Sequence, residues 1–223
     1  MVKKAYQPKD FFFRKAKEEG FRARSAFKID EIAKRFAVFK KGQTVLDLGA
    51  APGGFLQIIL NEVGPKGHVI GVDLAVIKPL GRPNVKTAVM DVLADDFAQQ
   101  LEALHPGPVD EVVSDLAPKT TGVKDVDLAR SLRLAGIALD IARSRGKPGS
   151  HFIAKLFMGG DFDQFRADAK GRSAAEIVEL WKYIADRLEK NFRRTVFAAP
   201  NQPQVAFQTR SYSAGGFGRR GVA

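Results

Sequence analysis

From Thr44 onward, short apolar runs alternate with stretches of helical period, and this alternation restricts the fold more than any other feature of the chain. The apolar runs cover residues 44–48, 68–73, 85–89, 109–114 and 151–157, and the spacing between them predicts helices near 54–63, 94–104 and 125–144. Parallel neighbours need crossovers long enough to hold a helix, so the pattern reads as βαβ units building an α/β, mostly parallel, doubly wound sheet. Further on, the sequence predicts a helix over about 173–190 and late strands at 195–198 and 205–208. Upstream, Ser25 offers an N-cap and Phe27, Ile29, Ile32, Ala33 and Phe36 recur at helical spacing, which predicts a helix over about 25–37.

At 223 residues and 45% hydrophobic, the chain is large enough for one α/β domain with a real core. Its expected organisation is a basic, aromatic N-terminal arm at 1–24, the α/β domain at 25–212 and a loose Gly/Arg tail at 213–223. With 36 Lys and Arg against 25 Asp and Glu, the formal net charge of +11 makes a polyanion, and first of all nucleic acid, the expected partner. There is no cysteine, and His68, His105 and His151 lack metal-ligand spacing, so no metal site is expected. Residues 1–14 contain no signal-peptide apolar core and no run approaches the roughly 20 apolar residues of a membrane span, so a cytoplasmic location is expected.

The run Asp47, Leu48, Gly49, Ala50, Ala51, Pro52, Gly53, Gly54, Phe55 leaves the first strand and enters a helix. Its glycines let backbone approach a ligand closely, although a tight strand-to-helix turn needs the same residues. Ala50 and Pro52 break the G-x-G-x-x-G spacing, which argues against a nicotinamide-dependent oxidoreductase. Asp73, Asp91 and Asp115 close the second, third and fourth strands. One such aspartate alone is more often a cap or turn residue; several at the carboxyl edge beside a glycine loop mark a ligand site, with a carboxylate suited to a ribose diol. Lys155 sits within the apolar run 151–157. It either points outward from an edge strand or is buried, and burial beside a second cation favours a neutral amine that can accept a proton.

These segments together resemble the FtsJ-type ribosomal RNA ribose 2′-O-methyltransferases, also called RrmJ-like or RlmE-like. The resemblance is carried by residues 21–31, 46–55, 114–118 and 152–157, in order and at family-like spacing. It implies a Rossmann-like methyltransferase fold with a mostly parallel seven-stranded sheet and helices on both faces. It also implies S-adenosylmethionine as methyl donor, held around Asp47, Gly49, Ala50, Pro52, Gly53, Gly54, Phe55, Asp73, Asp91 and Asp115. Phe55 stands where the family usually has tryptophan. Of the family's catalytic Lys-Asp-Lys-Glu group, Lys28, Asp115 and Lys155 match the first three, with Lys155 as proton acceptor. The implied substrate is a ribose 2′-hydroxyl, that of a uridine in 23S-type ribosomal RNA of the large subunit.

The sequence departs from this pattern at the fourth member, because no acidic residue follows Glu189, and the segment 159–190 is longer than the family's. Methyl transfer to transfer RNA or a cap, and a non-catalytic RNA-binding relative, are the alternatives this leaves. Arg14, Lys15, Lys17, Arg22 and Arg24 are the candidate RNA contacts, with Lys28 beside them. Phe11, Phe12 and Phe13 can stack on bases or pack on the fold, and the tail around Arg219 and Arg220 offers a further electrostatic contact.

Overall fold

The computed structural model describes residues 11–157, 165, 178–180 and 193–197. Its strands are β1 (Thr44–Leu48), β2 (His68–Asp73), β3 (Val85–Val89), β4 (Val109–Ser114), β5 (Gly146–Phe157), β6 (Val178–Leu180) and β7 (Arg193–Phe197). They form one seven-stranded sheet in the order β3-β2-β1-β4-β5-β7-β6. The first five strands run parallel, β7 is antiparallel to β5, and β6 is antiparallel to β7.

Successive side chains of a strand point to opposite faces, and here each face has its own core. Val45, Val69, Val113 and Ile153 pack with Ala26, Ile29 and Ile32 of α2 (Ala26–Phe36) and Leu56, Ile59 and Val63 of α3 (Gly54–Val63). Leu46, Leu48, Ile70, Val112 and Phe152 pack on the other face with Leu101 of α4 (Phe97–Leu104) and Ala138 and Leu139 of α5 (Lys124–Arg145). Burial on both faces is why these strands read as continuous apolar runs. At the amino edge of the sheet the one fully buried carboxylate of β4, Glu111, accepts bonds from His151 N–H at 2.8 Å and Gln43 Nε2 at 2.8 Å.

The structure differs from the sequence-based expectation in several places, one being that β5 begins at Gly146 and not at 151. The predicted helix over 173–190 contains β6 instead, because Val178, Glu179 and Leu180 pair with Phe197, Val196 and Thr195, and edge pairing prevails over helical period. The third expected helix starts at Phe97 rather than 94, since Asp91 holds residues 91–94 in a turn by accepting the Leu93 N–H at 2.9 Å and the Ala94 N–H at 3.0 Å. Ser25 precedes α2 but is itself in helical conformation and makes no side-chain cap. Within the segment expected as an N-terminal arm, residues 11–18 form α1 (Phe11–Glu18), Ala16 is buried, and the Phe21 and Phe27 rings meet edge to face at 5.4 Å. The expected strand at 205–208 and the tail at 213–223 lie outside the described residues.

Candidate active site at the carboxyl edge of the sheet

The end of β1 is pinned into a cradle by its neighbours. Gly49 has φ +81°, and a Cβ there would lie 2.9 Å from the Leu116 nitrogen, so only glycine lets β1 and the end of β4 come this close. The Gly49 and Ala50 N–H groups donate to the Val72 carbonyl at 2.9 and 3.1 Å. The Asp73 carboxylate accepts the Ala51 N–H at 2.9 Å and the Ala75 N–H at 2.8 Å, which ties the glycine loop to the end of β2. Gly53, φ +105°, precedes α3; a Cβ on it would meet Arg22 Nη1 at 3.1 Å, and one on Gly54 would meet the Ala23 Cβ at 3.0 Å. At these two glycines the close approach is made by the chain's own residues 22 and 23. Ala50 and Phe55 are buried in the core beside α2 and α3, Pro52 is exposed, and Asp91 is exposed beyond β3.

Asp47, Asp73 and Asp115 share the parity of Val45, Val69 and Val113, which places all three on the sheet face covered by α2 and α3. Asp47 is fully buried, and neither of its oxygens has a hydrogen-bond partner among the described residues. Burial first, and then the negative charges of Asp115 and Asp73, push its pKa well above the usual carboxylate range. In a chain of net charge +11, the three carboxyl groups gathered here suit a ligand that carries positive charge.

Lys155 lies on the same face. Its Nζ donates to Asp115 Oδ1 and, at 3.1 Å, to the Asp115 carbonyl oxygen, and only 11% of its side chain is exposed. β5 is an interior strand between β4 and β7, which excludes the outward-pointing edge lysine. Lys28 stands on α2, the helix packed over this face next to Val113 and Ile153. β7 contains no carboxylate, and Thr195 is the Cα partner of Lys155 in the β5–β7 register.

The candidate RNA contacts divide. Arg14 and Lys17 are exposed on α1. Lys15 lies 5.2 Å from the centre of the Phe27 ring and 3.6 Å from Glu19. Arg24 is half-buried, and the Arg22 guanidinium is bonded to the carbonyls of Pro52, Lys78 and Pro79. Sequence reasoning missed Asp127, which is buried in the first turn of α5. It accepts the Thr121 N–H at 2.7 Å, the Thr121 hydroxyl at 2.9 Å and the Gly122 N–H at 3.2 Å, and these bonds, the Thr121 N–H foremost, hold its pKa below the usual range. It thereby fixes the loop that leaves Asp115; an acidic residue just inside a helix that follows Thr-Gly was the available signal.

The model of the FtsJ-like methyltransferase family matches residues 21–191. Among curated proteins, the chain is 65% identical over 163 residues to the ribosomal RNA large subunit methyltransferase E of Myxococcus xanthus, covering 73% of this chain and 76% of that protein. It is 56% identical over 169 residues to the protein of the same name from Anaeromyxobacter sp., covering 76% of this chain and 61% of the relative. Among solved structures, a Plasmodium falciparum protein described as a ribosomal RNA methyltransferase superposes with a TM-score of 0.65 at 23% identity, over 80% of this chain and 96% of that one. Aeropyrum pernix fibrillarin, solved with natively bound S-adenosylmethionine, superposes with a TM-score of 0.58 at 17% identity, over 78% of this chain and 74% of that one. These two structures share the fold. The glycine cradle, the aspartates around it and the Lys155–Asp115 pair all fall within the matched residues, and this chain belongs to the FtsJ-like methyltransferase family.

Proposed function

We propose that this protein transfers a methyl group from S-adenosylmethionine to a ribose 2′-hydroxyl of RNA, with a uridine of large-subunit ribosomal RNA as the target and the cytoplasm as the place of action. The observation that carries the reading is the pairing of Lys155 with Asp115 on the same sheet face as the Asp47–Asp73 cradle. The names of the relatives, ribosomal RNA large subunit methyltransferase E, support the choice of RNA.

The residues present fit the donor. S-adenosylmethionine carries a sulfonium and an ammonium, and the cradle offers the orphaned buried carboxyl of Asp47 together with Asp73 and Asp115. Asp73, whose oxygens each retain a further lone pair, would take the ribose diol, and Gly49, Ala50, Pro52, Gly53, Gly54, Phe55 and Asp91 form or flank the rest of the cradle. When bound, the donor supplies an electrophilic methyl group.

The chain itself positions the acceptor and moves its proton. Lys155 takes the proton from the 2′-hydroxyl, Asp115 orients the amine through its carboxylate and carbonyl contacts, and Lys28 on the covering helix adds positive charge for the target phosphate or ribose. Arg14, Lys17 and Arg24 supply contacts to the RNA backbone.

The test is methyl transfer from labelled S-adenosylmethionine to ribosomal subunits from cells lacking the protein, followed by nucleoside analysis. A labelled 2′-O-methyluridine is expected, and Lys155→Ala lowers the rate by about 10²–10⁴-fold while leaving donor binding intact. Full activity of that variant would remove Lys155 from the mechanism. The absence of any acidic residue after Glu189 favours one second reading, an RNA-binding relative without turnover, which donor binding without transfer to any RNA would establish.

A further inference from the structure

Arg22 connects three parts of the chain that are distant in sequence. Its Nη1 donates to the Pro52 carbonyl at 3.3 Å and to the Lys78 carbonyl at 2.5 Å, and its Nη2 donates to the Pro79 carbonyl at 2.6 Å. Pro52 belongs to the glycine cradle, and Lys78 and Pro79 to the irregular segment between β2 and β3 that begins at Leu74, directly after Asp73. The backbone of Arg22 is held as well. Its N–H donates to Gln57 Oε1 at 2.8 Å, and Gln57 Nε2 donates to the Gly20 carbonyl at 3.0 Å, so the α3 side chain brackets residues 20–22. The missing Cβ of Gly53 is what leaves room for the guanidinium, which would otherwise stand 3.1 Å from that carbon.

The segment that Arg22 holds has few other anchors. Among residues 74–79 only Ile77 is buried, and Leu74 and Val76 are 69% and 78% exposed. The segment leaves Asp73 directly, and its start is tied to the cradle through the Ala75 N–H, which donates to the Asp73 carboxylate at 2.8 Å. A guanidinium suits the task of joining two loops because its planar fork presents several donors in fixed directions, whereas an ammonium is a point charge on a flexible stem.

We infer that Arg22 is a positioning residue for the donor cradle, clamping the Pro52 turn to the Lys78–Pro79 segment, and that it is not a contact to RNA phosphate. The inference rests on the reading of this cradle as the S-adenosylmethionine site. It accounts for an arginine in a basic segment whose donors face protein carbonyls, and it links the docked N-terminal residues to the walls of the donor site.

Arg22→Lys separates the two roles because it keeps the charge and removes the fork. Binding of S-adenosylhomocysteine is measured by calorimetry on wild type, Arg22→Lys and Arg22→Gln, with thermal unfolding as the check on folding and amide hydrogen exchange over residues 52–57 and 74–81 as the structural readout. RNA affinity is followed in parallel as a function of salt. The clamp requires both variants to bind S-adenosylhomocysteine about tenfold more weakly, with faster exchange in the two segments, and Arg22→Lys to keep wild-type RNA affinity and salt slope. Unchanged binding and exchange in Arg22→Lys, or a loss confined to RNA affinity in Arg22→Gln, would overturn it. If Arg22→Lys does not fold, Gln57→Leu, which frees the Arg22 backbone and leaves the guanidinium, must weaken binding in the same direction; wild-type binding in that variant would overturn the clamp. Failure of wild type itself to bind S-adenosylhomocysteine would refute the donor site and not the clamp, since the exchange comparison still reads the two segments.

Discussion

Among the described residues, Asp47 is the one carboxyl that is fully buried with no hydrogen-bond partner for either oxygen. Burial and two neighbouring carboxylates keep it protonated where a free aspartate is charged. Below the usual carboxylate range both folded and unfolded chains hold this proton. As pH rises above about 4, the unfolded chain releases it and the folded chain does not, so the stability of the native state falls until pH passes the raised native value. Asp47→Asn lacks this dependence. Its melting temperature relative to wild type is expected to rise with pH from about pH 4 upward and then level off. A constant difference across that range would mean that Asp47 is charged in the folded protein. Asp127 behaves in the opposite sense: its lowered pKa contributes stability above the usual range, and that contribution is lost as acid titrates its bonds to Thr121 and Gly122.

At the scale of elements, the site depends on how closely the ends of β1 and β4 approach each other. Gly49→Ala places a Cβ 2.9 Å from the Leu116 nitrogen at a φ of +81°, and both the clash and the backbone conformation oppose it. Relaxation has to move backbone at the residue after Asp115, so Gly49→Ala is expected to cost about 2–3 kcal/mol in chemical denaturation and to lower methyl transfer by more than the stability loss explains. A stable Gly49→Ala protein with wild-type turnover would show that the two strand ends are free to separate. The end of the basic N-terminal segment is a second element-scale result. Phe21 packs against the core cluster that contains α2 and α3, and the Arg22 N–H donates to Gln57 of α3.

At the scale of the whole molecule, the net charge is +11, while the cradle gathers the carboxylates of Asp47, Asp73 and Asp115. On the proposed function, basic residues set RNA affinity and its salt dependence, and the carboxylates face the donor. RNA binding is therefore expected to weaken steeply with salt, and Arg24→Ala to lower the magnitude of the logarithmic slope by about 1, as the loss of one phosphate contact does. S-adenosylhomocysteine binding, measured in the same salt series, is expected to change little. A donor affinity that follows salt as steeply as RNA affinity would place the basic residues in the cradle.

The sequence by itself determined the architecture and the chemical types at the site. Alternating apolar runs admit a doubly wound sheet, and Asp47, Gly49, Asp73, Asp115 and Lys155 were legible because the ends of parallel strands converge on one edge whatever the side-chain detail. Only the tertiary structure decided which alternatives hold. Lys155 is interior because β7 covers β5, a pairing between residues about forty apart that no local pattern encodes. Val178 to Leu180 form a strand because an edge was free to pair, and the pKa of Asp47 is raised because the folded sheet buries it and brings two carboxylates from other strands beside it. Arg22 donates to three carbonyls because two loops meet over Gly53. Periodicity and residue type are local properties and can be read along the chain, whereas burial, charge proximity and hydrogen-bond partners depend on segments far apart in sequence and exist only once the chain has folded.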